Sequence, residues 1–258
     1  MRESADLRSL LEEGAKGGAF RFSRIGKTEI GEAVKTVLFY SLAIVLLSAS
    51  ALADLAISKK GKLLLKEDFD GDALPELFTV GVGEWAIVDH TLRGRRLEAD
   101  KHTAFRKIFL DHQDVIYQFD LKLEGNGYSQ ILINYDLSHL AKCVTKTDSV
   151  TLYKVYEGKK RRQMAKEGRD PGVDPMNGQW EEKTFPMDET KLELATGRWY
   201  QVTIEIVGER LSMLVDGVRV AGSHIGIAER KTNFGFQAGG LEGYAYYDNI
   251  RVWEAKRK

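Results

Sequence analysis

The chain has 258 residues, of which 43% are hydrophobic and 10% aromatic, and its 38 basic residues balance its 38 acidic ones. This composition is too apolar for a disordered protein, and zero net charge gives no general attraction to nucleic acid or to anionic membranes. The single cysteine, Cys143, excludes an intramolecular disulfide and a cysteine-based zinc finger. We expect it to be a small buried hydrophobic residue.

The N-terminal part has the pattern of an export signal. Residues 37–47 (VLFYSLAIVLL) carry no charge, Lys35 precedes them, and small residues ending in Ala51 and Ala53 follow. This order predicts a secretory signal peptide cleaved after Ala53. A membrane span needs about 20 apolar residues, so the run is too short to be one. A buried core helix is the alternative interpretation.

The chain therefore divides into a leader, residues 1–53, and a single domain, residues 54–258. Residues 1–33 contain several glutamates, which is unusual for the start of a signal peptide. Our hypothesis is that these residues come from an over-extended gene start and that translation begins at Val34. Cleavage predicts an exported protein, periplasmic or extracellular, with no stable membrane span in its mature form.

Short strands are predicted along the whole mature domain. Apolar and polar residues alternate over 115–124 and over 200–206, which predicts strands buried on one face. Asp216 and Gly217 separate two apolar runs and predict a tight hairpin. Further strands are predicted over 62–69, 84–88, 91–98, 103–109, 130–135, 150–156, 211–215, 218–220, 234–236 and 244–253. No segment has a helical stripe, so we predict an all-β fold, a two-sheet antiparallel β-sandwich of the jelly-roll type.

One segment, residues 157–196, interrupts this regular spacing. It contains the basic run KKRR at 159–162 and three of the four prolines of the chain. We expect a long hairpin with an elaborated loop and place the basic run on an exposed strand edge. A loop of this length is either functional or a solvated insertion, and both interpretations stay open.

Four segments, in this order, resemble a known superfamily. They are KEDFDG at 66–71, EWAIVDHTL at 84–92, GRWY at 197–200 and GYAYYDNIRVWEA at 243–255. The pattern resembles the laminin-G-like jelly rolls of the concanavalin A-like lectin/glucanase superfamily. It is similar to bacterial 3-keto-disaccharide hydrolase domains and to glycoside hydrolase family 16-like proteins. The resemblance covers about residues 65–258 and implies a concanavalin A-like jelly roll with a role in carbohydrate binding or cleavage.

The sequence lacks the carboxylate pattern of family 16 enzymes, E-x-D-x-x-E or E-x-D-x-x-x-E on one strand. Asp120 and Glu124 share a strand face but lie about 13 Å apart along it, too far for either glycosidase geometry. Where the 3-keto-disaccharide hydrolase resemblance implies an acidic strand, this chain has Tyr153 and Lys154. If the protein is an enzyme, Asp120, Glu124 and Glu157 are the residues to mutate.

The resemblance also implies a structural Ca²⁺ between the first and last strands. Asp68 and Asp248 occupy the matching positions, and carboxylate oxygens suit this cation. The alternative is a turn carboxylate and a strand-end cap. The five histidines do not have the H-x-H or H-x-x-x-H spacing of a zinc site.

A sugar-binding face needs aromatic, amide and charged side chains together. The candidates for ligand binding are Gln130, Asn134, Lys154, Tyr156 and Trp180. We predict an exported, non-catalytic module that binds a polysaccharide or glycoconjugate. The alternatives are a hydrolase acting on 3-keto-glycosides or related sugars and a structural or adhesive cell-envelope protein. A merely solvated surface is the other interpretation of the candidate face.

Overall fold

Two antiparallel sheets face each other across an apolar core in the computed structural model, which describes residues 56–79, 81–136, 138–172 and 182–258. The predicted signal peptide, its cleavage site and Trp180 lie outside the described residues. Within the described part, no helix is long and apolar enough to cross a membrane.

Fifteen strands are present in the described residues. Their bounds in chain order are β1 Ser58–Glu67, β2 Gly81–Val82, β3 Glu84–Val88, β4 Thr91–Arg95, β5 Ala104–His112, β6 Val115–Glu124, β7 Tyr128–Tyr135, β8 Ser138–Thr145, β9 Ser149–Glu157, β10 Glu182–Lys191, β11 Trp199–Val207, β12 Arg210–Val215, β13 Val218–Ser223, β14 Lys231–Gly239 and β15 Tyr244–Arg257. Among the described residues one α-helix, α1, spans Gly158–Lys166, and short 3₁₀ turns occupy Glu98–Asp100 and Ile225–Ala228.

The first sheet has the strand order β13-β12-β11-β6-β15-β4-β3, and β1 also pairs with β15. The second sheet has the order β10-β9-β8-β7-β14-β5-β2. The predicted all-β fold, a two-sheet antiparallel β-sandwich, is thus confirmed. The last strand, β15, lies in the interior of its sheet, as expected for a strand whose two faces are both partly apolar.

The core forms where the inner faces of the two sheets meet. Phe236 of the second sheet packs edge-on against Tyr247 and Phe119 of the first, with ring centroids 4.8 and 5.4 Å apart. The hydroxyl of Tyr247 donates to the backbone oxygen of Gln237 at 2.7 Å, so its polar tip is satisfied inside the core. Cys143 is buried among these residues, as predicted.

The predicted hairpin at Asp216 and Gly217 is present. Val215 pairs with Val218, and the two turn residues have φ of 47° and 79°. Positive φ at both central positions is the geometry that Asp-Gly favours in a two-residue loop, because its twist matches that of the flanking strands.

No strand was predicted at the position of β8, which lies between β7 and β9. Its sequence, SHLAKCVT, does not alternate because the strand is buried on both faces: Leu140 and Val144 are buried on the outer side, Ala141 and Cys143 on the inner side. A strand covered on both sides has no polar face for a period-two pattern to reveal.

The basic run at 159–162 lies on α1, so its assignment to a strand edge was wrong. Lys, Arg, Gln, Met and Ala all have high helix propensity, which favours a helix over GKKRRQMAK. Arg161 and Met164, three residues apart on one side of this helix, are both buried. The rest of the expectation holds, because β9 and β10 pair as the two arms of a long hairpin that contains α1.

A buried carboxylate fixes the start of the domain on the first sheet. Glu205 of β11 is 1% exposed and accepts hydrogen bonds from the backbone N–H groups of Ala56, Ile57 and Ser58 at 2.7–3.1 Å. Arg219 lies 3.3 Å from the same carboxylate. These charge-assisted bonds hold residues 56–58 against the outer face of the first sheet.

Lys231, the first residue of β14, is fully buried, and among the described residues its Nζ has no hydrogen-bond partner. Burial lowers the pKa of Lys231 to about 8, although Asp114 and Glu229 oppose the shift. The unfolded chain therefore binds a proton at this amine between pH 8 and 10.5 that the folded chain does not bind. The charged form is the one that destabilises the fold.

We expect Lys231→Met to raise the free energy of unfolding at pH 7 by about 2–3 kcal/mol, because each unit of pKa depression is worth about 1.4 kcal/mol. The gain should shrink as the pH rises from about 8 to about 10.5. Urea unfolding at pH 7 and pH 10 measures both, with Lys146→Met at an exposed position as the control. A destabilised Lys231→Met variant at pH 7 would contradict this assignment.

Candidate functional site

The outer face of the second sheet carries an opening at its centre. Cross-strand pairing places Gly235 of β14 between Lys107 of β5 and Leu132 of β7. Because directly paired residues point to the same face, Lys107 and Leu132 flank a position that has no side chain. A Cβ atom at Gly235 would lie 3.0 Å from the backbone oxygen of Arg106, so the site favours glycine.

A pocket of about 380 Å³ lies over this opening. We refer to it as the amide pocket. Its described lining consists of His102, Phe105, Lys107, Leu132, Asn134, His139, Lys160, Gly235 and Gln237. The strands β5, β14, β7 and β8 supply most of these residues, and α1 supplies Lys160 at one side. The volume is within the range of small-molecule sites.

A chain of hydrogen bonds fixes the two amides nearest to β8. The Nδ2 group of Asn134 donates to Oδ1 of Asn233 at 2.7 Å, and Nδ2 of Asn233 donates to the backbone oxygen of Asp136 at 3.0 Å. The Oδ1 atom of Asn134 lies 2.5 Å from Nδ1 of His139, so His139 donates there. This network assigns the tautomer of His139, whose Nε2 is left as an acceptor.

A second amide pair lies four residues along the same strands. Gln130 of β7 donates from Nε2 to Oε1 of Gln237 on β14. Both side chains belong to the outer face, since Gln130 and Gln237 are directly paired across the strands. Gln237 lines the amide pocket, and Gln130 holds its amide in one orientation.

A buried ion pair holds α1 beside the pocket. The guanidinium of Arg161 lies 3.0 Å from the carboxylate of Glu229, and both side chains are less than 5% exposed. Arg161 also donates to Oγ of Ser138 at 3.3 Å and to the backbone oxygen of Pro171 at 3.0 Å. A buried charge needs partners on several sides, and these contacts supply them. They position the helix from which Lys160 extends to the pocket.

Burial and positive charge act together on His139. Burial lowers the pKa of His139 to about 4, and Lys160, Lys142 and Lys107 push it in the same direction. The carboxylate of Glu157 opposes them. That carboxylate accepts from the backbone N–H of His139 at 2.6 Å and from Nζ of Lys160 at 2.7 Å. His139 is therefore neutral at physiological pH.

The structure brings two of the five predicted ligand residues to this site. Asn134 lines the pocket and Gln130 supports it through Gln237. Lys154 and Tyr156 lie on β9, which β8 separates from the strand of Gln130 and Asn134. The fifth candidate, Trp180, lies outside the described residues.

Lys154 and Tyr156 also point to the other face of the sheet. Lys154 is paired with the core residue Ala141, and its Nζ lies 5.0 Å from the ring centroid of Phe185. Tyr156 is 4% exposed, and the guanidinium of Arg161 lies 5.4 Å from its ring. The alternation of side chains along β9 explains both positions, since residues 152, 154 and 156 share the inner face.

Sequence reasoning missed most of the pocket. His139 belongs to β8, which had no prediction, and Lys160 belongs to α1, which was assigned to a strand. Lys107 lies on a predicted strand and Gln237 directly follows the one predicted over 234–236, and alternation with Ile108 and Phe236 places both on the outer face. No signal in the sequence says which strands are neighbours, so the convergence of these side chains was not visible.

The predicted metal residues are held by protein groups. The two oxygens of Asp68 lie 2.5 Å from Arg251 and 2.6 Å from Lys66, and these contacts lower its pKa. An oxygen of Asp248 accepts from the backbone N–H of Asn249 at 2.7 Å. Among the described residues there is no cluster of three potential metal-ligating side chains. Calcium stays a prediction, tested by melting with and without a chelator.

The other acidic candidates lie on the first sheet. Asp120 accepts from Nδ2 of Asn249 at 2.8 Å, and Glu124 accepts from the hydroxyl of Tyr246 at 2.9 Å. Glu124 also lies 3.0 Å from Nζ of Lys122. Both carboxylates are on the outer face of β6, so the core of the sandwich separates them from the amide pocket.

Comparison with solved structures shows the fold. SCLam, a non-specific endo-β-1,3(4)-glucanase from family GH16, superposes with a TM-score of 0.52 at 11% identity over 78% of this chain and 94% of its own. The CBM2 module of the evolved Dit of Lactobacillus casei BL23 phage J-1 gives 0.51 at 10% identity, over 78% and 99%. LamAcat from Zobellia galactanivorans gives 0.50 at 11% identity, over 75% and 98%. No protein-family model matches the sequence, and no curated protein matches it either.

The described domain thus has the jelly-roll fold of these solved structures, with an amide-lined pocket on the outer face of its second sheet. The resemblance seen in the sequence is confirmed at the level of the fold. At these identities the likeness carries the architecture alone, and the function has to be argued from the pocket.

We expect the free energy of unfolding to fall as the pH is lowered from about 6.5 to about 4. Both His139 and His112 are neutral in the fold with a pKa of about 4, whereas the unfolded chain binds these protons below about 6.5. Urea unfolding at pH 7, 5 and 4 measures this slope. The His139→Gln variant should have a shallower slope than the exposed control His90→Gln. Equal slopes would contradict the neutral assignment of His139.

Proposed function

We propose that this protein is an exported, non-catalytic jelly-roll module that binds a polysaccharide or glycoconjugate in the amide pocket. One observation carries this proposal. The described lining of the pocket combines two amides, two imidazoles, two amines and two apolar side chains and contains no carboxylate.

The amide pocket suits a sugar because a sugar hydroxyl both donates and accepts hydrogen bonds. The amides of Asn134 and Gln237 can do either, and Nε2 of His139 is an acceptor. Phe105 and Leu132 provide apolar surface for the C–H groups of a sugar ring. The hydrogen bonds among the amides fix their orientation before a ligand arrives, which lowers the entropy lost on binding.

The absence of a carboxylate from the described lining favours binding without cleavage. Glycoside hydrolysis uses two carboxyl groups, about 5–5.5 Å or about 6.5–9.5 Å apart, on either side of the scissile bond. Glu157 is adjacent to the pocket, but both its oxygens accept hydrogen bonds from His139 and Lys160. Asp120 and Glu124 lie on the other sheet.

The names of the structural neighbours agree with this proposal. They include a CBM2 module and an endo-glucanase, so the same fold occurs in proteins named for binding or cleaving glycans. Export rests on the predicted signal peptide, residues 37–53, and it places the module where polysaccharides and glycoconjugates of a cell surface are accessible.

We expect Asn134→Ala and Gln237→Ala each to weaken glycan binding by about tenfold or more, because a lost hydrogen bond and an unpaired partner amide together cost about 1–3 kcal/mol. The natural chain and both variants would be compared on a glycan array, and the affinity for bound glycans measured by calorimetry. Thr151→Ala, on the outer face of β9 away from the pocket, is the matched control. Unchanged binding by both pocket variants, with melting temperatures retained, would contradict the proposed site.

A hydrolase acting on 3-keto-glycosides is the second candidate, and the position of Glu157 beside the pocket is the observation in its favour. Product release from bound glycans that is lost in Glu157→Gln would establish it. Binding without release supports the non-catalytic module. A chain that binds no glycan would leave the structural or adhesive envelope protein.

A further inference from the structure

The charges around the amide pocket indicate which saccharides it selects. This inference rests on the proposed function, because it specifies the ligand of the same site. We propose that the pocket binds saccharides that carry an anionic group, a carboxylate or a sulfate, and that Lys107 is the residue that binds this group.

Lys107 is a cation at the pocket wall without a matching anion. It lies on the outer face of β5, directly beside Gly235, and is half-buried. Its Nζ lies 5.5 Å from the ring centroid of Phe109, and among the described residues no carboxylate forms an ion pair with it. Structural lysines usually have an acidic partner or full exposure to water, and Lys107 has neither.

The neighbouring charges add to this excess. Lys160 lines the same pocket, and its charge together with burial lowers the pKa of Lys107. Lys142 is next along the cross-strand row, because it is paired with Leu132, which is paired in turn with Gly235. Lys107 and Lys160 line the same partly desolvated pocket, so their like charges repel each other, and an anion bound between them relieves this repulsion.

Glu157 does not neutralise the group. Its carboxylate is bound to Lys160 at 2.7 Å and to the backbone N–H of His139 at 2.6 Å, so it compensates one lysine of the three. The remaining lysines, Lys107 and Lys142, flank Gly235 and Leu132 on either side. The missing side chain at Gly235 leaves room for a planar carboxylate or a sulfate next to Nζ of Lys107.

The polar groups of the pocket divide into two sets with different preferences. The amides of Asn134 and Gln237 and the imidazole of His139 pair with hydroxyl groups, which every sugar has. A lysine ammonium group is a donor only, and its bond to an anion is roughly twice as strong as a neutral one. A neutral glycan would therefore use the amides alone and leave the charge of Lys107 uncompensated.

The test uses the mature chain and an array that holds matched pairs of oligosaccharides. One pair is an oligogalacturonide and its carboxyl-reduced counterpart, and the other is a sulfated galactan oligosaccharide and its desulfated counterpart. The array also contains neutral glucans and mannans. The variants are Lys107→Met, which keeps the apolar stem and removes the charge, and the exposed control Lys146→Met. Circular dichroism and melting confirm that both variants fold.

We expect an anionic member of at least one pair to bind about tenfold or more tightly than its neutral counterpart, since a hydrogen bond to a charged group contributes about 1.5–3 kcal/mol. Lys107→Met should lose this preference and Lys146→Met should keep it. Raising the ionic strength should weaken the binding of the anionic member. The pair that discriminates tells a carboxylate from a sulfate ligand.

Two results would overturn the inference and are distinguishable. If neutral and anionic members bind equally, or if Lys107→Met retains the preference, the pocket binds glycans without selecting their charge and the proposed function stands. If no glycan on the array binds, the proposed function fails and the selectivity fails with it.

Discussion

Along each strand of the second sheet, successive side chains point alternately into the core and out of it, and both the core and the site depend on this alternation. In β14, Phe234 and Phe236 point into the sandwich while Asn233, Gly235 and Gln237 point out of it. A shift of one residue in register would place the amides in the core and the phenylalanines in water. The same aromatic packing that closes the sandwich therefore also orients the pocket, because Phe236 against Tyr247 fixes which face Gln237 occupies.

The helix in the hairpin between β9 and β10 is the second element that the site requires. It is short, has no side-chain N-cap, and depends on tertiary contacts. Arg161 and Met164 attach it to the sheet, and the ion pair with Glu229 reaches the turn that precedes β14. One ion pair thus links the helix that supplies Lys160 to the strand that supplies Gly235. The helix in this hairpin thus supplies one side of the pocket on the outer face of the second sheet.

Strands with one polar face were predictable from the sequence, and elements without such a face were not. The alternation over 115–124 reproduces the bounds of β6, because the polar residues of this strand lie on its outer face and its apolar residues face the core. The strand β8 is covered on both sides, and α1 is anchored by an arginine rather than by an apolar stripe. The site followed the same rule. Asn134 could be predicted because it is a polar residue on a predicted strand. His139 and Lys160 belong to β8 and α1, which were not predicted.

The two ends of the domain lie side by side on the first sheet. Ser58 is paired with Arg257, and Glu205 holds the residues before it against the outer face of that sheet. The amide pocket opens on the opposite layer. A short peptide linker could therefore join the ends without strain, which makes the domain a good candidate for circular permutation. If the domain were attached to a surface through one of these ends, the first sheet would face that surface. The pocket on the second sheet would then point away from it.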